Sequence, residues 1–577
     1  MTTQAPPAPA PATTTAPRRR RPWVPTAAAL LCLLAGGLDL VSALTRADRG
    51  RLRQLTDVVP GALTTASAAA TIVTGVLLLL VAKGLRRRKR RAWRITVVLL
   101  LSSVVFHVLK GLDYEEAVVA FVLLVALVGL RAEFYAEGDP RTRWRGLGAF
   151  VILLTGSYLL GLTLLAVRDD DQVRPLTFSA ASEEVVLGLA GVDGPVHYRN
   201  DRRGERSQDL VSDSLLALGL LTFISTAYLV LRPAEPVARL SAEDEVRMRA
   251  LLERHGARDS LGYFALRRDK SVIWSPTGKA CVAYRVVSGV MLASGDPLGD
   301  PEAWPGALAA FLEMADRHAW TPAVMGCGEQ AGTAWCRAGL TALEIGDEAV
   351  VETADFSLSG RPMRNVRQAV NRVERAGYTA EVRRVSDIPE PERADLRAQA
   401  AAWRGAETER GFSMALGRFG DAADPQCVVV LARSDDGRLR GFLHFVPWGA
   451  DGLSLDLMRR DRDADNGLNE LLIARALEAG AALGVQRFSL NFAVFRSSLE
   501  RGERLGAGPV LRLWRGLLVF ASRWFQIESL YRFNVKFRPV WEPRFVCYPA
   551  GRDLPRVALA ALEAEAFLVL PKPLRRG

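Results

Sequence analysis

The sequence predicts a two-part chain: an α-helical membrane domain of about six spans, followed by α+β lobes. Two observations carry this. Apolar residues crowd into the first 231 of the 577 positions, and charged residues fill the remainder. Beyond residue 231, strand-like alternation and helical periodicity interchange over about 330 residues, enough for two lobes. The averages hide this division, with 49% hydrophobic and 24% charged residues resembling an ordinary globular chain. A balance of 75 Lys+Arg against 63 Asp+Glu gives a net charge of +12, which favours nucleic acid or an acidic membrane face. Six cysteines without a CxxC pair argue against a disulfide scaffold or zinc ribbon. A fully disordered chain, a small secreted module and a simple soluble enzyme are excluded.

Residues 1–24 are rich in Pro, Ala and Thr, contain the run Arg18–Arg21, and are expected to be a disordered basic tail. A secretory signal is the weaker reading, because no small-residue cleavage site follows and more apolar segments do. The membrane domain, residues 25–231, offers six segments against the roughly 20 apolar residues that a helical span needs. They lie near 25–44, 61–82, 95–111, 116–130, 146–167 and 210–231. The third and fourth are short, and Lys110, Asp113, Glu115 and Glu116 mark a tight turn between them.

Orientation follows from the cations. Eight Lys/Arg and no acid lie between Lys83 and Arg94, and Arg131, Arg141, Arg143 and Arg145 lie in the next basic loop. The loop at 168–209 is more acidic, opening with Asp169, Asp170 and Asp171. The N-terminus and everything beyond residue 231 are therefore expected in the cytoplasm, although Arg46, Arg49, Arg51 and Arg53 dissent. Asp39 and His107 fall inside spans, where an ionisable group marks either function or a polar interhelical contact.

Pro233 and Pro236 lie in a linker at 232–240, and Ser241 with Glu243 and Glu245 opens a helix at 241–255. Strand-like runs follow at Tyr263–Leu266, Ser271–Ser275, Ala280–Val287 and Val290–Ala293. Helical periodicity returns at 301–318, 361–376, 391–403 and 467–483, with strands at 427–432, 440–447, 453–458 and 486–492. The lobes are expected at 241–352 and 353–577.

Five segments hold candidate chemistry. GDPLGD at 295–300 follows a strand; it reads as a Gly-enabled turn in which Asp296 holds either backbone or ligand. Arg361, Arg364, Arg367, Arg372 and Arg375 share a helix with the single acid Glu374, giving either a solvated face or a phosphate-binding one. Glu407 and Glu409, beside Arg410, are either surface acids or a pair able to bind ammonium or take a proton. The strand at 453–458 places Asp456 opposite Leu455 and Leu457. It leads through a loop to a helix opening at Gly467, whose free N–H groups suit an anion. The last segment, 509–548, interleaves Trp514, Phe520, Trp524 and Phe525 with Arg512, Arg515 and Arg523, as either an interfacial helix or a core helix. Lys536 follows within an aromatic stretch, placed to meet phosphate or carboxylate. No Walker A, HExxH or GxSxG motif occurs, and five histidines make a His-rich metal site improbable.

In order, Gly278–Asp300 (GKACVAYRVVSGVMLASGDPLGD), Phe356–Tyr378, Glu407–Phe419, Asp456–Gly467 and Asn534–Tyr548 (NVKFRPVWEPRFVCY) resemble the phosphatidylglycerol lysyltransferase family, the aminoacyl-phosphatidylglycerol synthases. The match spans most of 240–550, and the six-span half is similar to the membrane part of members carrying a fused lysyl-tRNA synthetase. The resemblance implies tandem acetyltransferase-like (GNAT-like) lobes with the active site in the second. The intact R/Q-x-x-G-x-G/A coenzyme-A loop is replaced by Gly467-Leu468-Asn469.

It implies an enzyme of the bacterial cell membrane moving an amino acid, lysine first, from aminoacyl-tRNA to phosphatidylglycerol. No cofactor or metal is expected, the donor tRNA being charged elsewhere. The product lowers membrane negative charge, a route to cationic antimicrobial peptide resistance. Asp456 and Glu409 are assigned to the aminoacyl ammonium or proton transfer, and Arg459 and Lys536 to phosphate or the tRNA 3′ end. Glu407, Asn466, Gly467, Phe537 and Asp296 are expected to contact substrate, and Arg361, Arg364, Arg367 and Arg372 to contact tRNA. The alternatives are another lipid or a peptidoglycan precursor as acceptor, or a lipid transporter with a regulatory soluble half.

Overall fold

The computed structural model describes residues 23–44, 74–82, 84–86, 88–111, 114–136, 142–167, 177–192, 194–199, 202–231, 238–405, 411–494 and 527–568, with 173, 236 and 409. The chain divides into two compact units, Met1–Ala234 and Glu235–Gly577.

The first unit is helical. Among the described residues, two helices contain apolar stretches long enough to cross a bilayer, Phe150–Val167 and Ser207–Thr226, while Val24–Asp39 and Ala117–Gly129 are shorter apolar helices. Of the six expected spans, those at 146–167 and 210–231 thus coincide with full-length apolar helices among the described residues. Of the segment expected at 61–82, only the helical stretch 74–82 is described. Asp39 is buried, and the Ser103 hydroxyl on helix Arg90–Gly111 donates to its carboxylate at 3.2 Å, a polar interhelical contact. The Ser157 and Thr222 hydroxyls meet at 2.7 Å between helices Thr142–Val167 and Arg202–Leu231. The loop expected at 168–209 contains a further helix, Phe178–Leu189, capped by the Thr177 hydroxyl. Its Val185 packs with Leu165, Val211 and Leu215.

The second unit is built on one twelve-stranded sheet. The strands are β1 (Ser271–Trp274), β2 (Ala280–Val287), β3 (Val290–Ser294), β4 (Leu298–Gly299), β5 (Thr321–Cys327) and β6 (Thr341–Glu352). They continue as β7 (Thr379–Arg384), β8 (Val428–Arg433), β9 (Leu439–Trp448), β10 (Gly452–Arg460), β11 (Arg487–Val494) and β12 (Val540–Tyr548). Their order is β1-β2-β3-β5-β12-β6-β11-β10-β9-β8-β7, with β4 beside β2. Among the described residues of this sheet, β3/β5 and β10/β11 are parallel and the other pairs antiparallel. Each half is therefore an antiparallel meander that ends in a parallel strand after a helical crossover, Trp304–His318 in the first and Leu468–Glu478 in the second. The two halves thus repeat one plan, as the expected tandem lobes require.

The helices follow from ordinary rules. Helix Ala242–His255 starts where the Ser241 hydroxyl accepts the Asp244 N–H, with three acids in its first turn and Arg254 and His255 in its last. Helix Arg364–Arg375 buries Val366, Val370 and Val373, spaced for a single face, against the core beneath β8–β10. Alternation along β9 sends Leu443 and Phe445 into that core, and Phe442 and Val446 into the core on the opposite face.

Two expectations change. Tyr263–Leu266, expected as a strand, lies in a buried 3₁₀ turn, Gly262–Leu266. A lobe boundary at 352/353 leaves out that β12 inserts between β5 and β6, and that helix Leu554–Ala564 packs on Val287, Val290 and Leu292. The chain end thus returns to the first half. Residues 495–526, with most of the expected interfacial helix, lie outside the described residues.

Candidate active site

The parallel pair β10/β11 is in register only from Gly452↔Arg487 to Ser454↔Ser489; beyond that, β11 keeps β6 and β10 keeps β9. The sheet therefore splays at the end of β10. A β-bulge falls at the same place, since Leu455 faces Phe445 and Leu457 faces His444, leaving Asp456 without a partner position. The extra residue changes the alternation. Leu455 points into one core, while Asp456 and Leu457 both turn toward the other face, where a cleft opens. The expectation that Asp456 lies opposite Leu455 agrees with this, and its separation from Leu457 does not.

The cleft has a volume of about 600 Å³ and is walled by helix Glu390–Arg404, the loop around 409–422 and the end of β10. Asp456 holds the floor with both carboxylate oxygens engaged. The Leu416 N–H donates to Oδ1 at 2.7 Å, and His444 Nδ1 donates to Oδ2 at 2.6 Å. Arg459, three residues on, donates to Glu409 at 3.1 Å, and Arg404 donates to the other Glu409 oxygen at 2.6 Å. Glu409 is thus held between two guanidinium groups, which suits it to orienting Arg459 better than to receiving an ammonium. Asp456 keeps the cleft-facing carboxylate.

The loop carrying Leu416 is itself pinned. The Glu565 carboxylate, beyond the last helix, accepts the Phe412 N–H at 2.7 Å and the Ser413 N–H at 3.0 Å. Farther along, Arg418 donates to Asp424 at 2.6 Å and to Glu245 at 3.0 Å. Arg249 also reaches Asp424, at 2.8 Å. Burial opposes the charge on Asp424, yet Arg418 and Arg249 hold its carboxyl below the usual carboxylate value. These contacts fix the cleft wall to helix Ala242–His255.

The other expected residues lie elsewhere. Lys536 donates to Glu470 in the first turn of helix Leu468–Glu478, at 2.8 Å. Phe537 is buried in the core in a T-shaped pair with Phe533, so it anchors the Lys536 segment and does not line the cleft. The Asn466 carbonyl accepts from Arg372 at 2.6 Å. Gly467 has φ of 108°, and a Cβ there would come within 3.1 Å of the Ala369 carbonyl. Close packing on helix Arg364–Arg375 accounts for this glycine. Arg367 donates to the Leu358 and Gly360 carbonyls and is structural, whereas Arg361 and Arg364 are exposed. Glu407 lies outside the described residues.

Asp296 sits in the first half, where β3 and β5 stay paired through Ser294↔Met325 with no splay. Its carboxylate accepts the Gly328 N–H at 2.7 Å, closing the start of helix Glu329–Arg337. Burial, then the nearby Asp259 carboxylate, pushes the Asp296 carboxyl up to about 7 from its ordinary 3.8. Between those values the folded chain binds more protons than the unfolded one, so stability falls as pH rises from about 4 to 7. Asp296→Asn keeps an acceptor for Gly328 and removes this loss. Its melting temperature is expected to exceed that of the wild type by about 5 °C at pH 8, with the advantage gone at pH 4; thermal melts across pH check this.

His444 is the site residue that sequence reasoning missed. It was visible only as one of five histidines. Its pairing with Asp456 depends on the β9/β10 register and the bulge, neither of which leaves a short-range signal.

Residues 249–548 match the family described as phosphatidylglycerol lysyltransferase, C-terminal, and residues 20–230 match the transmembrane region of lysyl-tRNA synthetase. The lysylphosphatidylglycerol biosynthesis bifunctional protein LysX of Rhodococcus opacus (strain B4) is 44% identical over 490 residues, covering 84% of this chain and 43% of the relative. The protein of that name from Nocardia farcinica (strain IFM 10152) is 45% identical over 486 residues, covering 83% of this chain and 42% of its own length. The chain thus spans under half the length of these curated relatives. The solved structure of L-PGS from Bacillus licheniformis aligns with a TM-score of 0.48 at 24% identity, covering 57% of this chain and 99% of that one.

Proposed function

The chain belongs to the phosphatidylglycerol lysyltransferase family, and on that premise we propose that it transfers an aminoacyl group, lysyl first, from aminoacyl-tRNA to the glycerol hydroxyl of phosphatidylglycerol. The observation that carries the reading is the meeting of Asp456, Arg459 and Glu409 in one cleft where β10 and β11 part. The first half, closed at the equivalent strand pair, serves as a scaffold. The lysyl group follows the relatives' name. The membrane region keeps the transferase beside its lipid, and cytoplasmic placement of the second unit gives it access to tRNA.

The donor ester is already activated, so the enzyme has to align two substrates, remove one proton and stabilise one oxyanion. The lipid hydroxyl oxygen attacks the acyl carbon as Asp456 accepts its proton. The bond from that carbon to the ribose oxygen of the tRNA 3′ end then breaks, and the proton passes to the ribose oxygen. Arg459, oriented by Glu409, faces the developing negative charge. No covalent enzyme intermediate is needed. Lys536, beside Glu470, is set to meet a phosphate of either substrate.

The direct test incubates the purified chain with phosphatidylglycerol vesicles and radiolabelled lysyl-tRNA. Label is expected in a ribonuclease-resistant lipid, and label that stays wholly on tRNA contradicts the reading. The same assay examines the exposed cations at the start of helix Arg364–Arg375 and just before it. The double substitution Arg361→Gln with Arg364→Gln is expected to raise KM for tRNA by about 3- to 10-fold and to flatten its salt dependence, with kcat retained.

A further inference from the structure

Beneath the Asp456 carboxylate at the cleft floor lies a buried imidazole that the reaction above does not use. His444 has 0% of its surface exposed and sits on the β9 face between Phe442 and Val446, both core residues. The Phe419 ring meets it edge-on at 5.2 Å between centroids. A phenylalanine or leucine would satisfy that apolar setting. The histidine instead aims Nδ1 at Asp456, 2.6 Å away, and leaves Nε2 buried with no hydrogen-bond partner among the described residues. An orphaned buried nitrogen is costly, and native structures contain few of them. It is also the arrangement that fixes the tautomer: the proton stays on Nδ1, and the imidazole acts only as a donor to the carboxylate.

The backbone explains why Asp456 needs such a partner. Residue 456 is the bulged residue, so neither β9 nor β11 sets its direction through a ladder position. Two donors set it instead, the Leu416 N–H on Oδ1 and His444 on Oδ2. Leu416 belongs to a loop, whereas His444 belongs to the middle of a strand paired on both sides. The rigid restraint is therefore His444.

We propose that His444 is a positioning residue for aminoacyl transfer: its Nδ1–H holds the Asp456 carboxylate in its cleft-facing orientation, and the ring itself touches neither substrate. This rests on the transfer reading above. A hydrogen-bond donor at the Nδ1 position is the whole requirement, and the Asn side-chain amide nitrogen falls close to that position.

The test is a kinetic comparison of His444→Phe and His444→Asn in the full-length chain, with lysyl-tRNA and phosphatidylglycerol vesicles. His444→Phe is expected to lower kcat about 10- to 100-fold with KM for both substrates within about twofold. His444→Asn is expected to restore kcat to within about fivefold of wild type. A packing role predicts the reverse order, because phenylalanine suits the pocket and a buried amide does not; full activity in His444→Phe overturns the proposal. If the wild type transfers no aminoacyl group, the transfer reading fails, and the contact is read by NMR of ¹⁵N-imidazole-labelled protein. A His444 held as the Nδ1–H tautomer in the wild type, and released in Asp456→Ala, retains the positioning geometry. A ring that behaves alike in both proteins overturns it.

Discussion

Asp456→Ala is expected to reduce aminoacyl transfer by about 10²- to 10⁴-fold, the range that general acid–base groups contribute. The loss should fall on kcat, because the cleft keeps Arg404, Glu409 and Arg459 and so retains its shape and most of its charge. Alanine also strands two buried donors, the Leu416 N–H and His444 Nδ1, at about 1–3 kcal/mol each. Some destabilisation is therefore expected, and melting curves are needed beside the kinetics. Asp456→Asn separates the effects. Its amide carbonyl accepts one of the two donors while its charge and basicity are gone, so it should melt closer to wild type and still fail to transfer. An asparagine variant with wild-type kcat would remove Asp456 from the chemistry.

Arg544→Ala is expected to cause the largest loss of stability, about 3–5 kcal/mol, because it leaves buried charges unpaired. Arg544, on β12, donates to Asp259 at 2.8 Å, to the Ser260 hydroxyl at 2.7 Å and to Glu348 on β6. Glu348 also accepts from the Ser260 and Ser489 hydroxyls, so one cluster joins β12, β6 and β11 across the middle of the sheet. The melting temperature should fall by about 10 °C. Removing the opposing charge as well, in Arg544→Met with Glu348→Gln, should recover part of that loss, since a neutral pair costs less than a widowed carboxylate. The double variant melting below Arg544→Ala would show that the cluster does not act through charge pairing.

The same cluster shows why part of the fold was illegible. Elements with long apolar runs, such as β2 and β9, the alternating start of β10, and amphipathic helices such as Arg364–Arg375 stand out in the sequence. The longest strand, β6, does not. Its segment TALEIGDEAVVE places Glu344, Asp347 and Glu348 where a strand is expected to be apolar. Glu348 is tolerated inside because Arg544, 196 residues away, comes to meet its charge. β12 is hidden for the matching reason, and its position between β5 and β6 is a long-range pairing that no local pattern encodes. Likewise Asp456 and Arg459 share a short stretch of β10, and the motif order brought both forward. The bulge that turns Asp456 into the cleft, and the histidine that holds it there, depend on register. Lys536 and Phe537 show the converse: an aromatic-basic segment reads as a ligand site, yet Phe537 belongs to the core.

The central claim is that this chain makes aminoacylated phosphatidylglycerol through the cleft at Asp456. Mass spectrometry of lipids extracted from a bacterial host expressing the full chain tests it most directly, with Asp456→Ala at matched membrane abundance as the control. A new phosphatidylglycerol species heavier by one lysyl residue, absent from the control, is the predicted result. An unchanged lipid profile with the wild-type chain in the membrane, or the same new lipid in both strains, would contradict it.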